Sequence, residues 1–341
     1  MATLTPARSL KGSGRNEREQ TMKLGVLTVL FQDRPLTVML DNVANLGLHA
    51  VELGTGAYTS NAHCDPAALL ADPTAIKALK HAVARRGLII SALACHGNPL
   101  HPNQALAAEH DQVYRDTVRL AIELGVDVVN LFAGCPGDSA DSRYPNWVTC
   151  AWPLDFAEIL RWQWEERVIP YWTEAGRFAE EHGVKLGFEM HPGFVVYNPE
   201  TLLRLRAAVG TVIGTNYDPS HLFWQGIDPV AAIRALAGTI YHVHAKDTFI
   251  DPLNVAVNGV LDTKPYSDLA HRAWIFRTVG YGHDQLSWRG IVSALRLTGY
   301  DGVISIEHED PLVSVDEGLR RAVSFLNDVI LAERPSAMWW T

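Results

Sequence analysis

The stretch VKLGFEMHPG, residues 184–193, runs from an apolar segment into an acidic residue, a histidine and a proline–glycine pair. Such a run is typical of a strand that is buried on both faces, and Pro192-Gly193 ends it. Glu189 and His191 lie two residues apart, and on a strand this spacing points both side chains to the same side. The segment therefore predicts a buried strand whose C-terminal end carries a carboxylate and an imidazole together.

Seven further segments of this kind recur along the chain. The eight predicted strands cover residues 23–30, 50–55, 88–95, 127–132, 184–190, 212–218, 240–247 and 302–309. Helical patterns lie between them, including 73–87, 111–125 and 228–238, and several end in glycine, which favours a helix C-terminus. Eight strand–helix units in series predict an α/β fold, the (β/α)8 TIM barrel. In this fold the reactive residues lie at the C-terminal ends of the strands.

Bulk composition excludes several classes of protein. The 341 residues are 48% hydrophobic, enough for a large core, and the net charge of −9 without a basic run disfavours binding to nucleic acid or to an anionic membrane. No apolar run is long enough for a membrane span. Four cysteines without CxxC spacing favour a reducing cytoplasm. Residues 1–21 are polar and predict a flexible tail, followed by a single barrel domain over 22–335.

Two connections are too long for plain loops between a strand and a helix. They cover about 133–155 and 248–286, and both start at predicted strand C-terminal ends, so we expect both to lie over the mouth of the barrel. Tryptophans in and near these insertions either pack internally or form a surface for a flat apolar or glycosidic partner. They are Trp152, Trp162, Trp164 and Trp274.

Four titratable residues fall at the ends of the last four predicted strands. They are Glu189, Asp218, His244 and Glu307. Three carboxylates in one barrel mouth would repel one another unless a cation lay among them. Oxygen ligands with one imidazole suit Mn²⁺ best, with Mg²⁺, Co²⁺ and Zn²⁺ as alternatives. The sequence therefore predicts one divalent cation, and separate salt bridges and helix caps are the alternative interpretation.

Other polar residues extend this candidate site. His191 is placed for proton transfer beside a bound substrate, unless it packs under the adjoining loop. His242 shares a strand face with His244 but lies deeper, so it is predicted to support the site or the core. Substrate contacts are predicted for four residues: His221, His96, Glu52 and Lys246.

Three motifs carry a resemblance to a known family. They are Asp218-x-x-His221 with Gly226-Ile227-Asp228 downstream, HVHAKD at 242–247, and SIEHED at 305–310. With them the chain resembles the xylose-isomerase-like barrel superfamily, in the branch of sugar phosphate isomerases and epimerases, over residues 23–333. This superfamily includes ketose 3-epimerases, inosose dehydratases and endonuclease IV, and the catalytic subunits of C-glycoside deglycosidases share the barrel.

The resemblance implies roles for individual residues. The family's metal ligands fall on Glu189, Asp218, His244 and Glu307, and its DxxH substrate contact falls on His221. In the epimerases the glutamates of the fifth and eighth strands exchange the substrate proton, which assigns catalysis to Glu189 and Glu307 beside His191. The epimerases also carry an arginine six residues after the ligand of the seventh strand, and this chain has Ile250 there.

These residues predict a metal-dependent sugar isomerase or epimerase. It would abstract a proton next to a carbonyl of a small carbohydrate and pass through a metal-stabilised enediolate. A lyase on a keto-sugar, such as an inosose dehydratase or a 3-oxo-C-glycoside deglycosidase subunit, is the alternative. The net charge argues against a DNA-repair enzyme like endonuclease IV, and the four ligands argue against a non-catalytic barrel. A homo-oligomer or a small partner subunit both stay open.

Overall fold

The chain folds into a closed barrel of eight parallel strands. The computed structural model describes residues 22–333 and 335–341, so the predicted tail, residues 1–21, lies outside the described residues. The strands are β1 (Lys23–Leu27), β2 (Ala50–Gly54), β3 (Ile89–Ala94), β4 (Val128–Leu131), β5 (Lys185–Glu189), β6 (Ile213–Tyr217), β7 (Ile240–Ala245), β8 (Asp247–Ile250), β9 (Trp274–Arg277) and β10 (Val303–Ile306). The barrel order is β1-β10-β7-β6-β5-β4-β3-β2, which confirms the predicted (β/α)8 fold.

Helices connect the strands and cover the barrel. They are α1 (Leu36–Asn45), α2 (Pro66–Ala71), α3 (Pro73–Ala84), α4 (Gln104–Leu124), α5 (Leu154–Trp162), α6 (Ile169–Glu181), α7 (Pro199–Val209), α8 (Ser220–Phe223), α9 (Pro229–Ala235), α10 (Pro252–Asn258), α11 (Gln285–Leu297) and α12 (Val315–Asn327). A 3₁₀ turn covers Thr28–Phe31 and a π-helical turn covers Gln163–Val168. No helix in the described part of the chain is long and apolar enough to cross a membrane.

Helix α4 begins earlier than the pattern over 111–125 predicts. The side chain of Asn103 accepts hydrogen bonds from the backbone N–H groups of Ala105 and Leu106, which satisfies two donors of the first turn. At the other end Gly125 adopts φ 75°, a left-handed conformation that glycine adopts without steric cost. The cap, which the apolar periodicity does not show, therefore adds two turns to the helix.

The barrel interior contains a connected set of polar side chains. Asn130 of β4 donates to Glu52 of β2 at 2.8 Å, and Glu52 also accepts from His242 of β7 at 2.9 Å. His242 in turn lies 3.0 Å from the hydroxyl of Ser305 on β10. Because these residues belong to different strands and contact one another, their side chains point into the barrel. The apolar faces of the strands pack outward against the helices, as in the edge-to-face contact of Phe188 with Trp172.

The two long insertions meet above the C-terminal ends of the strands. Residues 132–153, after β4, contain no helix or strand, whereas the insertion after β7 contains α10 and an antiparallel ribbon of β8 and β9. The sequence pattern does not indicate this ribbon. Trp147 from the first insertion packs against a small apolar cluster around Trp274 and Phe276 of β9. The insertions are therefore joined by apolar contacts that are separate from the main core.

Asp247 attaches the second insertion to the barrel. Its buried carboxylate accepts hydrogen bonds from the backbone N–H groups of Gly280 (2.9 Å), Gly282 (3.2 Å) and His283 (3.0 Å). The indole N–H of Trp288 on α11 donates to the same oxygen at 3.3 Å. One carboxylate thus satisfies four donors from the segment that returns from the ribbon to α11.

Asp247→Ala should therefore destabilise the fold by roughly 2–4 kcal/mol, because several buried donors would lose their acceptor at once. Urea unfolding followed by circular dichroism measures this loss. Asp251→Ala is the matched control: this aspartate only caps α10 in the same insertion and should cost about 1 kcal/mol. Equal losses in the two variants would show that the Asp247 contacts do not hold the insertion.

Candidate metal centre and active site

Four of the predicted residues come together at the C-terminal end of the barrel. Glu189 is the last residue of β5, Asp218 comes directly after β6, His244 lies within β7, and Glu307 comes directly after β10. One ligand atom from each lies within 4.8 Å of the others. Because the strands neighbour one another in the barrel, their ends bring residues that are distant in sequence into one cluster.

Two of the carboxylates are held in the ionised form by their neighbours. Burial alone would raise the pKa of Glu189, but hydrogen bonds from His96 (3.0 Å) and His221 (3.2 Å) hold this pKa well below the ordinary range. Burial also opposes ionisation of Glu307. The ammonium of Lys246 at 2.9 Å and the ring of His244 nevertheless lower the pKa of Glu307 to about 2.

The third carboxylate, Asp218, is not stabilised to the same degree. Burial, together with the charges of Glu189 and Glu307, raises the pKa of Asp218 to about 6, although His221 and Lys246 act in the opposite direction. A cation among the three carboxylates would remove this repulsion. Three carboxylates and one imidazole are also ligands that divalent metal ions accept in proteins. The donor set therefore fits a divalent cation.

His244 is oriented by a carboxylate beneath it. Nδ1 of its ring faces the cluster, 3.1 Å from Glu307 Oε2 and 3.3 Å from Glu189 Oε2. Nε2 lies 2.9 Å from Glu52 Oε2, and because a carboxylate accepts, Nε2 carries the proton in this contact. Without a cation both ring nitrogens lie against carboxylates, which raise the pKa of His244 well above its ordinary value and keep the ring charged. A cation beside Nδ1 would displace the Nδ1 proton and leave Nε2–H on Glu52, as in the carboxylate–histidine–metal arrangement.

Glu52 consequently does not lie where the predicted substrate contact requires. Its side chain has no exposed surface and its carboxylate is fully engaged by Asn130, His242 and His244. The physical reason is its place in the strand: Glu52 is the third residue of β2, two positions before the end, so it lies one layer below the mouth. His242 lies in the same layer, as its deeper position predicts.

An open cavity of about 400 Å³ lies above the cluster. Its polar lining includes five of the predicted residues: His96, Glu189, His191, Lys246 and Glu307. His221 is not among the lining residues, since it is buried below the ring of His191, 4.1 Å away between centroids. The structure therefore brings His96 and Lys246 to the cavity and leaves His221 in contact with Glu189 and Asp218 beneath it.

His191 presents a free ring nitrogen to this cavity. Its Nδ1 donates a hydrogen bond to the carbonyl oxygen of Pro192 at 2.6 Å, so in the neutral ring Nε2 is the unprotonated nitrogen. No hydrogen-bond partner for Nε2 occurs among the described residues. Burial and the neighbouring His221 lower the pKa of His191 to about 3, which keeps the ring neutral near pH 7.

Some residues of the site were not predicted from the sequence. Asn216 donates to Glu189 at 3.1 Å, and its even spacing from Asp218 in β6 is the signal that could have indicated it. Phe132 lines the cavity with its edge against His96. The four tryptophans in and near the insertions do not line it: Trp164 and Trp274 are buried, Trp152 is exposed, and Trp162 lines a separate surface cavity.

Comparison with known proteins identifies the family. The model of the xylose isomerase-like TIM barrel family matches residues 40–329. The chain belongs to this family. It is 40% identical to the uncharacterised protein YfiH of Bacillus subtilis over 312 residues, 91% of this chain and 99% of YfiH. It is 29% identical to an inosose dehydratase of Geobacillus kaustophilus over 154 residues, but this match covers only 45% of the chain and 48% of that enzyme.

Solved structures share the fold at low sequence identity. A structure of IolI protein with a bound zinc atom has a TM-score of 0.62, 20% identity and covers 90% of this chain and 98% of IolI. A D-tagatose 3-epimerase-like protein has a TM-score of 0.59 and 22% identity over 90% of this chain and 98% of its own. The relatives with a named activity, a dehydratase among the sequences and an epimerase-like protein among the structures, are enzymes.

Asp218→Asn should stabilise the cation-free protein at alkaline pH. The raised pKa of Asp218 means that the wild type loses stability as pH rises from about 4 through 6, whereas an amide does not ionise. We expect the free energy of unfolding of the variant to exceed that of the wild type by roughly 1–3 kcal/mol at pH 8 in the presence of a chelator, and the two to converge near pH 4.

Urea unfolding at both pH values measures this difference. Asp228→Asn is the matched control, because Asp228 caps α9 at the surface and asparagine caps a helix equally well. If the Asp218→Asn protein is less stable than the wild type at pH 8, Asp218 is already neutralised by its protein neighbours.

Proposed function

We propose that this protein is a divalent-metal-dependent isomerase or epimerase that moves a proton next to the carbonyl of a small carbohydrate. One observation carries the proposal: His191, with an unpartnered Nε2, lines the same cavity as two carboxylates of the four-residue cluster, Glu189 and Glu307. A cation site and a proton acceptor in one cavity are the two parts that this chemistry needs. The D-tagatose 3-epimerase-like neighbour supports the same reaction class.

Glu189, Asp218, His244 and Glu307 would hold the cation. When bound, it would polarise the carbonyl and the adjacent hydroxyl of the substrate as a Lewis acid. The three oxygen donors favour Mn²⁺, and the zinc atom bound to IolI supports Zn²⁺ as an alternative. Glu52 would orient His244 for this role, because its contact keeps a proton on Nε2 when a cation replaces the proton on Nδ1.

The hydrogen bonds favour His191 as the base. Both oxygens of Glu189 accept hydrogen bonds from protein donors, and both oxygens of Glu307 lie against Lys246 or His244. These contacts occupy lone pairs of both carboxylates. His191 has an available lone pair at the cavity surface, and His96 and Lys246 can bind substrate hydroxyls. The proton held by His191 can then return to the neighbouring carbon of the enediolate, which gives the isomer.

A lyase that eliminates a group next to the carbonyl is the second candidate. The position of the epimerases' arginine is occupied by Ile250, which lies on β8 and packs on the apolar cluster of the ribbon. The match to an inosose dehydratase favours the same alternative. Both reactions begin with the same proton abstraction, so the two candidates differ only in the later fate of the enediolate.

Metal-loaded protein should exchange deuterium from D₂O into a keto-sugar substrate at the carbon next to the carbonyl. His191→Asn should lower this exchange and kcat in parallel by roughly 10²–10⁴-fold, the usual contribution of a general base. Mass spectrometry of the sugar measures exchange, and a released fragment identifies a lyase. His182→Asn is the matched control, since His182 also donates Nδ1 to a carbonyl but lies at the end of α6. Normal exchange in His191→Asn would assign the proton to Glu189 or Glu307.

Glu52→Gln should weaken cation binding although all four residues of the cluster remain in place. The neutral amide has one acceptor oxygen for the three donors His242, His244 and Asn130, and it lacks the negative charge, so it holds the ring of His244 less firmly. We expect affinity for Mn²⁺ to fall by roughly 10–100-fold, as is usual when the partner of a ligating histidine is removed. Equilibrium dialysis measures this, with the exposed Glu109→Gln as control. Unchanged affinity would limit Glu52 to a structural role.

A further inference from the structure

A second cavity adjoins the one above the cluster and differs from it in chemistry. It has a volume of about 360 Å³ and shares His191 and Glu309 with the first cavity. The rest of its lining is apolar or aromatic and comes from the ribbon, from the loop before β9 and from the loop after β10. These residues are Tyr266, Leu269, Ile275, Phe276 and Pro311. A polar and an apolar cavity therefore meet at the ring of His191.

The wall between the cavities is built from fixed side chains. Phe276 is buried, with the ammonium of Lys246 4.2 Å from the centre of its ring, and His221 packs against the same ring edge-to-face. The backbone of Phe276 pairs with that of Thr248 in the ribbon. Tyr266 lies nearly parallel to Phe276, and the guanidinium of Arg272 lies 4.3 Å from the centre of the Tyr266 ring. The aromatic surface is thus formed before any ligand binds.

The charges around this surface are already compensated. Lys246 is the one Lys or Arg among the described residues that line the two cavities, and it pairs with Glu307 at 2.9 Å and Glu309 at 2.6 Å. Arg272 is buried and donates to backbone carbonyls of the insertion. An anionic group such as a phosphate would find no free cation among these lining residues and would lie beside Glu309. The second cavity therefore favours an uncharged group.

We propose that the substrate is a carbohydrate ketone that carries an uncharged apolar ring, and that the second cavity, which we call the ribbon cavity, binds this ring. The inference rests on the proposed function for the end of the substrate that enters the first cavity. A cavity of roughly 150 Å³ already holds a benzene molecule, so the ribbon cavity is large enough for an aromatic substituent. Aromatic faces and aliphatic side chains are also the surfaces on which such a ring is buried favourably.

Calorimetric titration of the Mg²⁺-loaded protein with inert probes tests this inference without turnover. Phenyl β-D-glucopyranoside should bind about 10-fold or more tightly than methyl β-D-glucopyranoside, the difference expected from burial of one aromatic ring. Glucose 6-phosphate should bind no better than the methyl glucoside. Equal affinity for the phenyl and methyl probes, or tighter binding of the phosphate, would overturn the inference.

Variants that fill the ribbon cavity locate the effect. Ile275→Trp should abolish the preference for the phenyl probe while methyl glucoside affinity and cation content stay unchanged. Leu269→Trp, at a half-buried loop position, fills the cavity from the other side if the first variant folds poorly. Leu253→Trp, exposed on α10 of the same insertion, is the control and should keep the preference. A phenyl preference that persists in both cavity-filling variants would place the ring elsewhere.

The test of the apolar ring and the tests of the proposed function have different readouts. Loss of the proposed function would appear as absent cation binding or absent deuterium exchange, and neither measurement involves the phenyl probe. A protein that binds the cation and exchanges deuterium but shows no phenyl preference would retain the proposed reaction and refute the apolar substituent.

Discussion

The repulsion between three carboxylates, two buried and one half-buried, is the constraint on which the site depends. Glu189, Asp218 and Glu307 meet at one end of a closed barrel where solvent cannot screen them fully. Neighbouring groups lower the pKa values of Glu189 and Glu307, whereas the pKa of Asp218 is raised to about 6 although Ser220 donates to both of its oxygens. An incompletely compensated set of this kind is unfavourable as a purely structural element, because an apolar residue of similar size would be less costly there. The arrangement is favourable once a divalent cation supplies the missing positive charge.

The layer below the cluster explains why the barrel interior is polar. Interiors of such barrels are usually filled by branched apolar side chains. Here Glu52, Asn130 and His242 occupy that space, and each finds a hydrogen-bond partner within the layer. Glu52 connects this layer to His244 above it, so the orientation of a metal ligand depends on residues that do not reach the cavity. A mutation in the layer would then change the site through the ring of His244, with the barrel itself intact.

Strand positions could be predicted from the sequence, and with them the residues that form the cluster. Continuous apolar runs and their breaks locate eight strand ends, and the barrel rule brings the ends together. The two-residue spacing from Glu189 also predicts that His191 points to the same side as Glu189, and the structure places His191 in the lining of the cavity. Depth along a strand was predicted correctly for His242, which shares its strand with His244, but not for Glu52. Glu52 is a carboxylate, like three of the cluster residues. It lies two residues before the end of β2, and this places its side chain in the layer beneath the mouth.

The ribbon and its cavity were not predictable because they depend on contacts across the sequence. Strands β8 and β9 are far apart along the chain, and neither has a strong alternating pattern. The ribbon forms because Trp274 stacks on Trp224 and because Trp147 joins from the other insertion. Asp247 fixes the returning segment by hydrogen bonds to backbone groups, which leave no signature in residue type. The four cluster residues therefore lie on or directly after strands, whereas the surface that would select the substrate lies on the insertion. The two are joined by Phe276, which packs against Lys246 and His221, and by two carboxylates: Asp247, and Asp310, which accepts from Arg277 and Thr278.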